Sequence, residues 1–294
     1  MMNIRIKNSI MLFLAAVIWG CAFVAQSVGM DYMGPFTFNG FRSILGSAVL
    51  IPVVILMNKL KSPEKKKRED KKTSIIGGIC CGVALCIASN LQQIGMQYTT
   101  PGKAGFITAL YIVLVPVASI FLNKKAGLKV WISVVIAVVG LYFLCMTDSL
   151  RLSKGDFFVF LCALAFTGHI LVVDYFVNNA DGVLMSCIQF LFTGIITTIL
   201  AFIFETPSIV QVQGALIPLL YAGIMSCGAA YTLQILGQKD MNPTVASLIL
   251  SLESVTSVVA AFIILGQAMS VRELIGCVLM FIAIILAQLP DKGR

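Results

Sequence analysis

The chain has 294 residues, of which 59% are hydrophobic and only 12% are charged. A soluble globular protein carries about twice that charged fraction, because polar groups must cover its surface. The composition therefore excludes a soluble fold and indicates that lipid surrounds most side chains. The net charge of +8 does not indicate a nucleic-acid partner, because the basic residues lie in short stretches between apolar runs and no nucleic-acid-binding motif accompanies them.

Ten apolar segments follow one another along the chain. Each has about 18 to 24 residues, enough to cross a hydrocarbon core of about 30 Å at 1.5 Å per residue. Such long, continuous stretches predict helices, because backbone polar groups in lipid must be paired within the segment. The expected fold is all-α, with ten transmembrane helices. The segments are Ser9–Val28, Pro35–Met57, Ser74–Gln97, Pro101–Leu122, Val130–Thr147, Gly155–Phe176, Val183–Phe204, Gly214–Gly237, Pro243–Leu265 and Ser270–Leu289.

The first segment also has features of a signal peptide, because Arg5 and Lys7 precede it. It is too long for the apolar core of a typical signal peptide, and no clear small-residue cleavage site follows it. We interpret it as a membrane span of the mature protein.

The basic residues predict the orientation. If the N-terminus is cytoplasmic, 16 of the 21 Lys and Arg residues fall in the cytoplasmic loops and ends, and four fall outside. This bias predicts a multi-pass protein of the cell (inner) membrane with both termini in the cytoplasm. The longest loop, Lys59–Lys72, is interpreted as a solvated topology anchor; a lipid-headgroup patch and a regulatory arm are the alternatives.

All nine cysteines lie in apolar segments. No pair has the spacing of zinc ligands with a histidine nearby, and the sequence contains only one histidine, His169. The cysteines are interpreted as small packing residues rather than as disulfides or metal ligands. The sequence therefore predicts no metal and no cofactor.

An internal repeat divides the chain into two halves, residues 1–147 and 154–290. Thr100-Pro101 and Asn242-Pro243 each combine an N-cap residue with proline at the first helical position, and they are 142 residues apart. Each half has five predicted spans. An odd number of spans makes the second half insert upside down relative to the first, which is typical of carriers that open alternately to either side.

Several phrases of the sequence appear in a characteristic order. They are Leu14–Val24, then Phe41-Arg42, then Gln93–Thr100 running into Ala104–Tyr111 and Pro116, and finally Ala246–Glu253 and Ile264–Gln267. Together they resemble the EamA-type members of the drug/metabolite transporter superfamily. Ser254 replaces the proline that the family usually has after the glutamate, and Gln267 replaces its usual glutamate.

The resemblance implies a fold and a function. It implies a ten-helix bundle in which helices 1–4 and 6–9 surround a central cavity, with helices 5 and 10 at the side. It also implies export of a small polar or amphipathic metabolite. The leading hypothesis is a transporter that works by alternating access, as the inverted repeat indicates. It is expected to be a secondary transporter, because no Walker A motif for ATP binding is present.

A membrane-embedded enzyme and a scaffold or receptor are the two alternative classes of protein. A membrane-embedded enzyme would need a nucleophile–base set or a metal cluster, and a single histidine without an acid at ligand spacing argues against it. A scaffold or receptor without transport activity would carry a sizeable soluble domain or a long loop. The expected partners are a small-molecule substrate and the lipid bilayer, while a coupling proton and a homodimer are left open.

Ionisable residues inside apolar segments are candidates for function, because they are costly to insert. Glu253 lies ten residues after Pro243, and Tyr111 lies ten residues after Pro101. The repeat therefore places a carboxylate and a phenol at matching depths near the midplane. Glu253 is expected to bind a cationic substrate or a coupling proton; a structural hydrogen bond to a neighbouring helix is the alternative.

Other polar residues in the segments complete the candidate site. His169 is either a proton relay or substrate donor, or a neutral contact between helices. Arg42 either extends toward the periplasmic headgroups, or pairs with an acid or an anionic substrate. Four further residues are expected to line the cavity, with bonding between helices as the alternative: Asn90, Gln93, Tyr231 and Gln234.

Overall fold

A computed structural model describes residues 4–61, 69–99, 101–122, 127–145, 153–265 and 270–289. Every element in these ranges is helical, as the all-α prediction expects. Thr100 and Gln267 lie outside the described residues, as do the boundaries at 1, 147 and 290.

The helices are numbered in chain order, and letters mark the parts of interrupted helices. They are α1 (Ile4–Met30), α2 (Pro35–Leu60), α3 (Lys71–Met96), α4a (Pro101–Thr108), α4b (Tyr111–Phe121), α5 (Leu128–Cys145), α6 (Lys154–Phe176), α7 (Gly182–Phe204), α8a (Leu216–Leu220), a π-helical part (Tyr221–Ala230), α8b (Tyr231–Gln238), α9a (Pro243–Leu250), α9b (Leu252–Leu265) and α10 (Val271–Gln288). A short helix, Ile209–Gly214, precedes α8a.

Eight helical stretches in the described residues are long and apolar enough to cross a membrane. They correspond to α1–α4, α6, α7, α8 and the larger part of α9. Large apolar side chains such as Ile51, Phe202 and Ile263 cover their outer faces. Exposed apolar surface on this scale suits a lipid environment and not water.

Hydrogen bonds from polar side chains define several helix starts. Asn242 is the N-cap of α9a and accepts a hydrogen bond from the Thr244 N–H at 2.9 Å, as the Asn-Pro pattern predicts. Asp70 caps α3 in the same way, and the hydrogen bonds from the Thr73 hydroxyl and N–H hold the pKa of its carboxyl below its usual value.

Helices 4 and 9 are interrupted at equivalent positions. The break in α4 lies at residues 109–110, and the break in α9 lies at Ser251, which is 142 residues after Ala109. Around both breaks some backbone hydrogen bonds span three residues, for example from the Ile112 N–H to the Ala109 carbonyl. These tighter turns interrupt each helix shortly before Tyr111 or Glu253.

The helices pack in pairs that the repeat relates to one another. Helix α3 packs on α6 and α7, while α8 packs on α1 and α2, the equivalents of α6 and α7. Similarly, α1 packs on α9b, and both parts of α4 pack on α6. Three further pairs join equivalent helices directly: α2 with α7, α5 with α10, and α4b with α9a.

The α2–α7 pair is tied at both ends. At one end, Lys61 forms ion pairs with Asp181, the N-cap of α7, and with Glu69 at 2.7 Å. Burial lowers the pKa of Lys61, but the hydrogen bonds to Asp181 and Glu69 outweigh it and raise the pKa above 10.5. Because the pKa of Lys61 in the folded state exceeds 10.5, the ion pairs stabilise the folded state fully below pH 10.5. This stabilisation is lost only as the pH rises through the folded-state pKa. These ion pairs therefore persist at neutral pH.

At the other end of the pair, Glu205 follows the last residue of α7 and caps α2. Its carboxylate accepts hydrogen bonds from the backbone N–H groups of Phe36 at 2.9 Å and Thr37 at 2.8 Å. Between the two ends, glycines bring the backbones together, since a methyl group added at Gly194 would lie 2.9 Å from the backbone nitrogen of Ile44. The pair therefore forms a continuous, closely packed unit across the bundle.

Candidate functional site

A cavity with an empty volume of about 530 Å³ lies at the centre of the bundle. Its lining residues come from α1, α2, α3, α4, α6, α8 and α9, and none of those in the described chain comes from α5, α7 or α10. Much of the wall is aromatic or apolar, with side chains from Trp19, Phe23, Phe166, Ile170 and Leu250.

The Tyr111–Glu253 pair joins the two halves at the cavity. The Tyr111 hydroxyl donates a hydrogen bond to Glu253 Oε1 at 3.0 Å, and both side chains are buried. Each residue lies at the start of a half-helix, directly after the interruption of α4 or α9. The two positions that the repeat aligns thus meet in space, and an acid is held at the interruption of two discontinuous helices. Carriers commonly form their substrate sites at such places.

Tyr231 lies at the centre of an aromatic cluster on the cavity wall. Its ring contacts Trp19 edge-on with centroids 4.6 Å apart, and it also contacts Phe190 at 5.1 Å. His169 lies behind it at 5.9 Å and does not line the cavity. The His169 Nε2 atom is instead 3.0 Å from Gln189 Oε1 on α7. This geometry favours the contact between helices, the second of the two interpretations of His169.

Arg42 lines the cavity and is only 6% exposed. Its guanidinium carbon lies 5.6 Å from the centre of the Phe38 ring. No acid lies within 4.0 Å of it in the described ranges. The side chain therefore does not extend to the lipid headgroups, because the surrounding helices enclose it.

The predicted polar residues of α3 and α8 occupy different environments. Gln234 lines the cavity and donates a hydrogen bond to Gln238 Oε1 at 3.1 Å. Asn90 lies outside the cavity lining and donates to Thr197 Oγ1 on α7 at 2.9 Å. Asn39 on α2 donates in turn to Asn90 Oδ1 at 3.2 Å, so this cluster holds three helices together.

The structure differs from the prediction that Gln93 lines the cavity. Gln93 is fully buried outside the lining, and its neighbour Gln92 faces the cavity instead. Gln92 donates a hydrogen bond to the Thr108 hydroxyl at 3.2 Å. Adjacent residues on a helix point about 100° apart, so the rotation of α3 decides which glutamine faces inward.

Several lining residues were not predicted from the sequence. Besides Gln92, they include Gln26 and Ser226, while Trp19, Phe23 and Thr108 belong to the phrases that carry the family resemblance. A signal existed on α1, because Trp19, Phe23 and Gln26 follow the spacing of one helix face. Among the described residues, no group of three or more His, Cys, Asp or Glu side chains is arranged to bind a metal ion.

Comparison with known proteins identifies the family. Residues 7–146 and 153–289 both match the EamA-like transporter family. An uncharacterized transporter of Archaeoglobus fulgidus is 27% identical over 97% of this chain and 87% of its own length. The uncharacterized transporter YoaV of Bacillus subtilis is 24% identical over 90% of each chain. Protein PagO of Salmonella typhimurium is 24% identical over 99% of this chain and 97% of its own length.

A solved crystal structure matches 96% of both chains with a TM-score of 0.79 at 18% identity, which shows that the fold is shared. The family match covers both halves of the chain, and the relatives named as transporters match along most of their length. The family and these relatives point to a transporter rather than an enzyme. The chain is a multi-pass membrane protein that belongs to the EamA-like transporter family.

Proposed function

We propose that this protein is a secondary transporter that exports a small polar or amphipathic metabolite by alternating access. The observation that carries the proposal is the Tyr111–Glu253 pair, which joins equivalent positions of the two halves beside a central cavity. A substrate bound there would lie between two sets of helices that can tilt in opposite senses. The export direction rests on the family resemblance alone.

The proposal includes ten membrane spans arranged as two inverted five-helix repeats, at 1–147 and 154–290. The family matches at 7–146 and 153–289 support this division. The pairing of helices supports it too, because each major contact has an equivalent one in the other half or joins equivalent helices. The bias of basic residues supports cytoplasmic termini in the inner membrane.

We propose that the helices move around the interruptions of α4 and α9. The α2–α7 pair is tied by Lys61 at one end and by Glu205 at the other, so it acts as the fixed unit. The turns before Tyr111 and Glu253, together with the π-helical part of α8, provide bending points next to the cavity.

We propose that Glu253 carries a coupling proton. Its carboxyl is buried, and the Tyr111 hydroxyl donates a hydrogen bond to it. A buried acid inside a membrane bundle is commonly part of a substrate or proton path.

The test is a thermal-shift screen of small metabolites on the purified protein, followed by flux of the stabilising compounds in proteoliposomes. We expect saturable flux of at least one compound, with none in empty liposomes. Ser226→Leu, which fills part of the cavity, is expected to lower the flux at least tenfold, while Gly168→Ala, whose added methyl meets no atom within 4 Å, is expected to leave it unchanged. Compounds that bind without any flux would contradict the proposal and favour a receptor.

A further inference from the structure

Arg42 is a buried cation that the described protein does not neutralise. It is 6% exposed, on a helix that is apolar over most of its length, and it faces the cavity. Its guanidinium carbon lies 5.6 Å from the centre of the Phe38 ring, which is a weak partner for a full charge. Arginine stays protonated in proteins, so it cannot escape the cost of burial by losing its proton. An enclosed charge of this kind requires an anion.

The acid in the cavity does not provide that anion. Glu253 is occupied by the Tyr111 hydroxyl, and it is not within ion-pairing distance of Arg42. Glu69 and Asp181 form ion pairs with Lys61 at the end of the bundle. A bound substrate can supply this negative charge, because no acid of the described residues lies within 4.0 Å of Arg42.

Other buried polar atoms of lining residues have no hydrogen-bonding partner among the described residues. They are an N–H donor, Trp19 Nε1, and two carbonyl acceptors, Gln26 Oε1 and Gln234 Oε1. Buried polar atoms are costly when unpaired, so a ligand is expected to satisfy them. The complementary molecule offers acceptors to Arg42 and Trp19, donors to the two glutamines, and an apolar group to the aromatic wall.

The charge of the cavity lining also restricts the charge that the ligand can carry. Arg42 is the sole basic residue in the described lining. A dianionic phosphate ester would bring a second negative charge without a second cation to meet it, whereas a carboxylate matches one guanidinium in charge and in geometry.

We propose that Arg42 binds the carboxylate of the transported molecule, a small organic acid that also carries a hydrogen-bond donor and an apolar group. The inference rests on the proposed transport function and names its substrate class. Arg42 thereby determines specificity, because neutral analogues would leave its charge unpaired.

The experiment measures the thermal unfolding of the purified full-length protein in the presence of paired probes. Phenyllactate, 3-phenylpropionate, L-phenylalanine and L-leucine are each compared with their carboxamides, and phenyl phosphate is the phosphate probe. We expect one or more of the carboxylates to raise the unfolding temperature with rising concentration, and the matching amide to bind at least tenfold more weakly. Equal stabilisation by acid and amide, or stabilisation by phenyl phosphate alone, would overturn the proposal.

Variants of Arg42 separate binding from a structural role. Arg42→Gln is expected to weaken the response to the carboxylate at least 30-fold, and Arg42→Lys is expected to restore part of it. Without ligand, Arg42→Gln is expected to unfold at the wild-type temperature or above it, because an unpaired buried charge has been removed. An unchanged carboxylate response in Arg42→Gln would refute the assignment, as would a large loss of stability without ligand.

Flux measurements keep this inference distinct from the transport proposal. If the carboxylate binds through Arg42 but does not cross the proteoliposome membrane, the transport function fails and the assignment of Arg42 stands. If instead a neutral or cationic compound is carried equally well by wild type and Arg42→Gln, transport stands and the carboxylate assignment fails.

Discussion

Glu253→Gln is expected to abolish the proton dependence of transport and to slow transport about tenfold, because a neutral hydrogen bond of about 0.5–1.5 kcal/mol replaces one to a charged group of about 1.5–3 kcal/mol. The amide keeps the size of the side chain and still accepts a hydrogen bond from the Tyr111 hydroxyl, 3.0 Å away in the wild type. It cannot take up or release a proton, however. Because Glu253 is the sole acid in the described cavity lining, no other lining residue there can replace it. The measurement is flux of a stabilising compound in proteoliposomes with and without a pH gradient.

Two variants sharpen this test. Tyr111→Phe removes the hydrogen bond but keeps the carboxyl, so we expect slower transport that retains its proton dependence. Glu273→Gln changes an acid in the capping box at the start of α10, away from the cavity, and it is expected to transport like the wild type. A Glu253→Gln protein with the wild-type pH dependence would remove the coupling role from Glu253.

Gly155→Ala is expected to destabilise the folded protein by about 3 kcal/mol, at the upper end of the usual cost of overpacking. Gly155 lies in the first turn of α6, where the helix touches the end of α3. A methyl group added there would lie 2.6 Å from the Gly95 carbonyl oxygen and 2.9 Å from the Thr99 backbone nitrogen. These neighbours are backbone atoms, so the clash cannot be relieved by a side-chain rotation. The measurement is the free energy of unfolding in detergent micelles.

Gly168→Ala on the same helix is the matched control. A methyl group at Gly168 meets no atom within 4 Å, and alanine is the better helix former by about 0.5–1 kcal/mol. It should therefore leave stability unchanged or raise it by that amount. Similar stability of the two variants would show that α3 and α6 do not approach as closely as described.

The sequence predicts much of the fold because the length of an apolar segment indicates whether it can form a helix that crosses the membrane. The eight membrane-length stretches fall within predicted segments or extend them by a few residues, and the N-cap at Asn242 is confirmed. The equal spacing of Tyr111 and Glu253 from their prolines predicts matching depths. Their direct hydrogen bond is a further finding, because it depends on how α4b crosses α9a.

The direction in which each polar side chain points could not be predicted in the same way. A helix in a bundle has protein on several sides, so a polar residue can face a cavity or a neighbouring helix. Asn90 bonds to Thr197 and Gln93 is enclosed, while Gln92 reaches the cavity. The sequence predicts that Arg42 is close enough to the end of its segment to reach the membrane surface, and only the packing of the helices shows that it is enclosed.

The interruptions of the helices were also invisible in the sequence. No proline or glycine lies at the breaks at 109–110 and 251. Packing between helices therefore sets these turns, which local propensity does not reveal. The ties at Lys61 and Glu205 likewise join residues more than 100 positions apart, and a single sequence contains no signal for such pairs.

The proposed alternating access of the cavity to the two sides of the membrane is tested most directly by the accessibility of Ser226. Ser226→Cys is prepared in a protein whose nine native cysteines are replaced, and a membrane-impermeant thiol reagent is added to one face of the membrane at a time. Alternating access predicts that the reagent reacts with the introduced thiol from either face of the membrane. It also predicts that a saturating transported compound or a pH gradient increases the reaction rate from one face and decreases it from the other. Reaction from a single face under every condition, or rates from both faces that rise together, would contradict it.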